Sequence, residues 1–220
     1  KRFEGIYKIV DANVTSVPNK SNGAIDIKAM TDAIGNDTRL LICVTPNNPT
    51  GMMLTEQEIR HISENTPENV LLFMDEAYHE FAIHAGGPDA LEILKDRKGP
   101  WAVTRTFSKA YALAGVRLGY AICSSVEIVN AIRLVASTFS LNGISEAAAV
   151  AAWNEPEYTQ FILDQNAKER SRVVNGLQDM GYNPMESVTN FVSCDIKHPA
   201  TDIVKAMRAR SVRISTVGGN

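Results

Sequence analysis

Leu71-Leu72-Phe73-Met74-Asp75-Glu76-Ala77-Tyr78 is an apolar run that ends on two acids. Four large apolar residues in a row, bounded by charge, fit a short strand buried on both faces, the kind that parallel sheets contain. Three similar runs flank it, at Leu40–Val44, Ala102–Thr106 and Leu118–Cys123, with Val70–Met74 as the strand core here. Amphipathic helical patterns lie between them. Thr55 with Glu58 three residues on forms a capping-box pattern, and Ile59 and Ile62 supply an apolar face. Helices are expected again at Val126–Ala136, at the Ala-rich Ser145–Trp153, and over Glu155–Met180, where Pro156 suits a first turn and Gly181 a C-cap. Strand and helix in alternation predict an α/β domain of three layers, α/β/α, with a mostly parallel sheet. After the long helix come an expected strand at Phe191–Asp195, a helix at Thr201–Arg210 and a strand start at Val212–Ser215, the beginning of a small α+β domain. The predicted boundaries are residues 1–160 for the large domain and 161–220 for the linking helix and partial small domain.

The 220 residues are 45% hydrophobic and 21% charged, ordinary values for a globular chain, with a formal net charge of -3. No block of Lys and Arg is present to neutralise phosphates, so no nucleic-acid partner is expected. Nor does any apolar run reach the roughly 18 to 20 residues of a membrane helix, and no membrane partner is expected. Cys43, Cys123 and Cys194 are far apart with no C-x-x-C pair, which points away from a zinc site or disulfide framework and toward a reduced, cytoplasmic protein. The chain opens on Lys1 and stops at Asn220 just after two glycines, so both ends are expected to be cut from a longer protein.

Three places carry chemistry. Thr45-Pro46-Asn47-Asn48-Pro49-Thr50-Gly51 follows a strand directly, and its composition forces a stiff loop at a strand's C-terminal end, where open α/β sheets bind ligands. A turn without a ligand is the plainer reading. Asp75, at the end of its strand, reads as a helix N-cap, as the acid of a Walker-B strand, or as a partner for a cofactor cation. The chain holds no G-x-x-x-x-G-K-[ST] sequence, which weakens the second. His79 and His84 are five residues apart, so they would not share a helix face as zinc ligands do. They read as surface or packing residues, and no metal is expected. The third place is Arg105-Thr106-Phe107-Ser108-Lys109-Ala110-Tyr111-Ala112-Leu113-Ala114-Gly115-Val116-Arg117-Leu118-Gly119-Tyr120. A partly desolvated lysine among small residues is a competent nucleophile. Thr106, Ser108 and Arg117 offer hydroxyls and a two-pronged guanidinium, a fitting set for a phosphate dianion.

Asn48 in N-P-T-G, Asp75 and Tyr78 in D-E-A-Y, and Lys109 and Arg117 in S-K-A-Y-x-L-A-G-x-R-x-G-Y follow the order and approximate spacing of the fold-type I pyridoxal-phosphate (PLP) aminotransferases. The chain most resembles the histidinol-phosphate aminotransferase branch, over most of its length. That resemblance implies that Lys109 carries the cofactor covalently and moves the proton between the substrate Cα and the cofactor. It also implies that Asp75 pairs with the ring nitrogen, Tyr78 and Asn48 reach the 3′-oxygen, and Thr106, Ser108 and Arg117 hold the phosphate. Gly115 and Gly119 would let backbone pass close by. By the same likeness the reaction is transamination between a small-molecule amino donor and a 2-oxo acid, with histidinol phosphate and 2-oxoglutarate the leading pair, in a homodimer. A PLP-dependent decarboxylase on the same scaffold and a PLP-binding fragment without turnover are the alternatives. Three features of the family stand apart. Its phosphate-binding Gly-rich turn and the tyrosine lent to a neighbouring subunit would precede residue 1. Its substrate-anion arginine would lie near or beyond the end, and Arg213 is not assigned that role. Ala112 replaces the glycine usual in the branch.

Overall fold

The structure is a computed structural model, and it describes residues 11–217. Its centre is a four-stranded sheet of β1 (Leu40–Val44), β2 (Leu71–Asp75), β3 (Trp101–Thr106) and β4 (Gly119–Cys123), side by side in that order. β1, β2 and β3 run parallel, with Leu40 opposite Leu71 and Asp75 opposite Thr104. β4 is antiparallel to β3 and pairs Thr106 with Gly119. The content of the connection explains the change of direction. A parallel return requires a crossover of a dozen or more residues, normally containing a helix. Residues 107–118 instead fold into turns and one short 3-10 segment at Ala114–Val116.

α1 (Ile27–Asp32) precedes β1, α2 (Glu56–Asn65) connects β1 to β2, and α3 (His79–His84) and α4 (Ala90–Leu94) connect β2 to β3. Thr55 and Glu58 close the expected capping box at the start of α2. Ile59 and Ile62 of that helix are fully buried against Cys43, Leu72, Met74, Val103 and Leu94, which together form the main core. Strand side chains alternate between faces, so this core covers the face that carries Cys43, Leu72, Met74, Trp101 and Val103. Asp75 and Thr106 belong to the opposite face.

Beyond the sheet, α5 (Val126–Val135), α6 (Gly143–Trp153) and α7 (Pro156–Asp179) lie close to the predicted spans. Gly181 has φ of 82°, the left-handed conformation expected of a helix-ending glycine. The tail adds a two-residue pairing of β5 (Asn183–Pro184) with β6 (Cys194–Asp195), then α8 (Ala200–Ala209). Here two expectations need correction. The strand predicted over Phe191–Asp195 is reduced to Cys194–Asp195, because the Ser187 and Thr189 hydroxyls bond the main chain of Phe191 and replace the ladder. Val212–Ser215 has no regular secondary structure and pairs with no strand among the described residues. No described helix is long and apolar enough to cross a membrane.

Candidate active site

The loop after β1 is held from within and from outside. Asn47 accepts from Gly51 N at its carbonyl, donates its main-chain N–H to Met52 O at 2.7 Å, and donates from its side chain to Thr50 Oγ1 at 3.0 Å. Gly51 has φ of 83°, and a side chain there would collide with Ser187. From outside, Val188 N donates to Gly51 O, and Ser193 Oγ donates to Pro49 O at 2.5 Å. Arg170 of α7 donates to the carbonyls of both Val188 and Thr189 at 3.0 Å. The tail therefore braces the loop, and Asn48 projects from it exposed.

Asn48 Nδ2 donates to Tyr78 Oη at 3.0 Å across 30 residues of sequence. Tyr78 is buried, with its ring edge-on to Phe191, and Lys109 Nζ lies 5.2 Å from the ring centroid. Three of the predicted residues thus meet at one point. Because Tyr78 Oη accepts from Asn48, its own proton is free to point at another acceptor.

Asp75 lies at the end of β2, half-buried, and its Oδ1 accepts from Ala77 N at 3.1 Å. Burial pushes its carboxyl above the usual range, and the Ala77 N–H works against that shift. A carboxylate so placed gains from a cation brought to its second oxygen.

The turn after β3 gathers the phosphate candidates. Ser108 Oγ lies 3.5 Å from Arg117 NH1, a loose contact that leaves both groups with unused donors. Arg117 also donates to Ala114 O at 2.8 Å and has φ of 56°, an uncommon conformation for a side-chain-bearing residue. Thr106 behaves differently. Its hydroxyl donates to Leu118 O at 3.1 Å and accepts from Ser108 N at 3.1 Å, so its proton is committed to shaping the turn. Gly119 is needed where β4 approaches β3, since a Cβ there would lie 2.8 Å from Arg105 O. Gly115 does not play that part, because a Cβ at Gly115 would meet nothing within 4 Å.

Sequence reasoning passed over a buried charge cluster behind this site. Arg105 on β3 donates from Nε and NH2 to Glu76 Oε2, at 2.9 and 2.8 Å, and from NH2 to Asp89 Oδ1 at 2.8 Å. His79 Nδ1 lies 3.5 Å from the same Glu76 oxygen. The available signal was an arginine two residues after Val103 in an otherwise buried strand. The same side of the sheet opens on a cavity of about 510 Å³ lined by Arg105, His79, Tyr111, Tyr120 and Trp153. None of the seven predicted site residues lines it.

Comparison with known proteins places this geometry in context. Residues 2–219 match the family model described as aminotransferase class I and II. The chain is 39% identical over 190 residues to histidinol-phosphate aminotransferase 2 of Caulobacter vibrioides, covering 86% of this chain and 50% of the relative. Identity to the histidinol-phosphate aminotransferase of Staphylococcus carnosus is 37% over 192 residues, 87% of this chain and 53% of that one. Among solved structures, the Sinorhizobium meliloti histidinol-phosphate aminotransferase, in complex with pyridoxal-5′-phosphate, superposes with a TM-score of 0.85 at 30% identity. That match covers 94% of this chain and 57% of the other. The chain spans about half the length of the curated relatives it matches.

Proposed function

The chain belongs to the aminotransferase class I and II family, and from that premise we propose that it forms the cofactor-holding part of a PLP-dependent aminotransferase. The observation that carries the reading is the meeting of Asn48, Tyr78 and Lys109, in which the tyrosine hydroxyl already accepts one hydrogen bond and Lys109 Nζ lies over the same ring, 5.2 Å from its centroid. The donor set fits PLP. Asp75 would offer a carboxylate to the protonated ring nitrogen, Tyr78 and Asn48 donors to the 3′-oxygen, and Ser108 and Arg117 donors to the phosphate. Thr106 would join them only by turning its hydroxyl away from Leu118; otherwise it supports the phosphate indirectly, through the Ser108 turn.

When bound, PLP supplies an electron sink that makes the substrate Cα proton removable. Asp75 would keep the ring nitrogen protonated, because its half-buried carboxylate favours a cation next to it. Lys109, as the free amine, would take the Cα proton and return it at the cofactor, and its side chain starts from the turn of residues 106–109. Tyr78, its hydroxyl oriented by Asn48, would donate to the 3′-oxygen. The substrates are an amino donor and a 2-oxo acid; the names of the relatives favour histidinol phosphate as one partner, and 2-oxoglutarate is the acceptor we pair with it. We read residues 1–160 as the large domain and 161–220 as the linking helix and partial small domain, in a cytoplasmic homodimer.

The test is an absorbance titration with PLP, then borohydride reduction and peptide mapping. The label is expected on Lys109, and Lys109→Ala is expected to abolish both the visible band and transamination. A label on any other lysine, or no band at all, overturns the reading.

A further inference from the structure

We propose that Arg105 is a positioning residue for the cofactor-binding turn, and that it works by gripping Glu76 from the face of the sheet opposite Asp75. The inference rests on the reading of Asp75 and Tyr78 given above. Glu76 is 3% exposed and Arg105 9%, so this ion pair is formed in the interior. Two guanidinium nitrogens converge on one Glu76 oxygen, and NH2 reaches on to Asp89. Asp89 is itself held, because its Oδ1 accepts from Leu91 N as the N-cap of α4. The arginine thus ties the end of β2 to β3 and to the start of α4.

The main chain of Glu76 is fixed as well. Its N–H donates to Thr104 O at 2.9 Å, and its carbonyl accepts from His79 N at 3.0 Å. Neighbouring side chains on a strand point to opposite faces, so fixing Glu76 on one face fixes the rotation of Asp75 on the other. Tyr78 sits inside the turn that the Glu76 carbonyl and His79 N–H close. Buried ion pairs are poor stabilisers, often matched by apolar replacements. Their directional geometry is what an apolar pair cannot supply, and misplacement of a reacting group by about 1 Å costs up to about a hundredfold in rate.

The test compares wild type with Arg105→Lys, which keeps the charge and loses the two-pronged geometry. Asp89→Asn is a milder second variant that keeps the cap acceptor. Amide hydrogen exchange is read first, without cofactor. The Glu76 and His79 amides are expected to exchange about tenfold faster or more in Arg105→Lys, with α2 unchanged. Cofactor binding is read second, with PLP itself. Its Kd is expected to rise about tenfold, the pH midpoint of the visible band to shift, and kcat to fall at unchanged KM for the amino donor. Unchanged exchange in a folded Arg105→Lys protein overturns the proposal. So does faster exchange with PLP affinity and band midpoint unchanged, since the grip then does not reach the site. If Arg105→Lys does not fold, Asp89→Asn decides by the same criteria. Failure of wild type to bind PLP would instead refute the cofactor reading, and the exchange arm alone would then judge the grip.

Discussion

Ala112 follows Lys109 by three residues and closes a turn onto it, its N–H donating to Lys109 O at 3.0 Å, with φ of 56°. That conformation costs a residue with a side chain about 1 to 2 kcal/mol, and glycine adopts it without the clash. The glycine usual in the family branch thus has a backbone reason. Ala112→Gly is expected to stabilise the protein by ~0.5 kcal/mol, the relief being partly offset by glycine's greater freedom when unfolded. Denaturant melts read this directly, and a less stable variant contradicts it. His79 supplies a pH-dependent case. Burial, then the Arg105 guanidinium, lower its pKa to about 4 from an ordinary 6.5. Between those values the unfolded chain binds the proton and the folded chain does not, so stability rises with pH and is lost on acidification. The loss is on the order of 3 kcal/mol at most. Glu76 acts in the opposite sense, because burial raises its carboxyl to about 7 against the pull of Arg105, and its ionisation lowers stability as pH rises from 4.5. The two offset in wild type. His79→Gln is therefore expected to lose less stability than wild type when the pH is taken from 7 to 4.5. Parallel slopes in thermal melts across that range would remove His79 from the account.

At the scale of elements, the junction of α2 and β2 depends on one side chain. Arg97 donates to the carbonyls of Ser63, Thr66, Pro67 and Val70, capping the end of the helix and the start of the strand that delivers Asp75. Arg97→Ala leaves these carbonyls without that partner, and a loss of about 2 kcal/mol is expected, read as a lower melting temperature. A change within 0.5 kcal/mol, the usual range for surface sites, would show that water replaces the guanidinium fully. Such long-range pins are what the sequence could not show. Periodicity and caps made α2, α5, α6, α7 and the four main strands legible, because those signals are local. The short α1, α3 and α4 offer too few turns for a periodic pattern. The candidate site was legible wherever its residues lie in contiguous motifs, as with Asp75 and Tyr78 or Ser108 and Lys109. Arg105 with Asp89, and Arg170 with the carbonyls of Val188 and Thr189, join positions 16 to 19 residues apart through partners that no spacing rule selects. The strand expected at 191–195 failed for a related reason, since side-chain hydroxyls outcompeted a ladder there.

The whole molecule has an uneven surface. Residues 126–153 contain three charged side chains, Glu127, Arg133 and Glu146, yet they expose Leu134, Val135, Ile144 and Trp153, with Phe139 94% exposed. Monomeric proteins rarely present so much apolar surface with so little charge, and such surfaces drive association. A polypeptide of these 220 residues alone is therefore expected to self-associate at roughly micromolar concentration. Gel filtration with light scattering over a dilution series checks this. Leu134→Glu combined with Phe139→Glu is expected to shift the distribution toward monomer. Both side chains are exposed in the folded chain, so their replacement removes no core contact and the melting temperature should hold. A monomer at every concentration, or association indifferent to the two glutamates, would mean that the apolar stretch does not bring copies together. Asp75, Tyr78 and Lys109 lie outside 126–153, so the same double variant should bind PLP with unaltered affinity. Solubility and the cofactor site are thereby separable in one experiment.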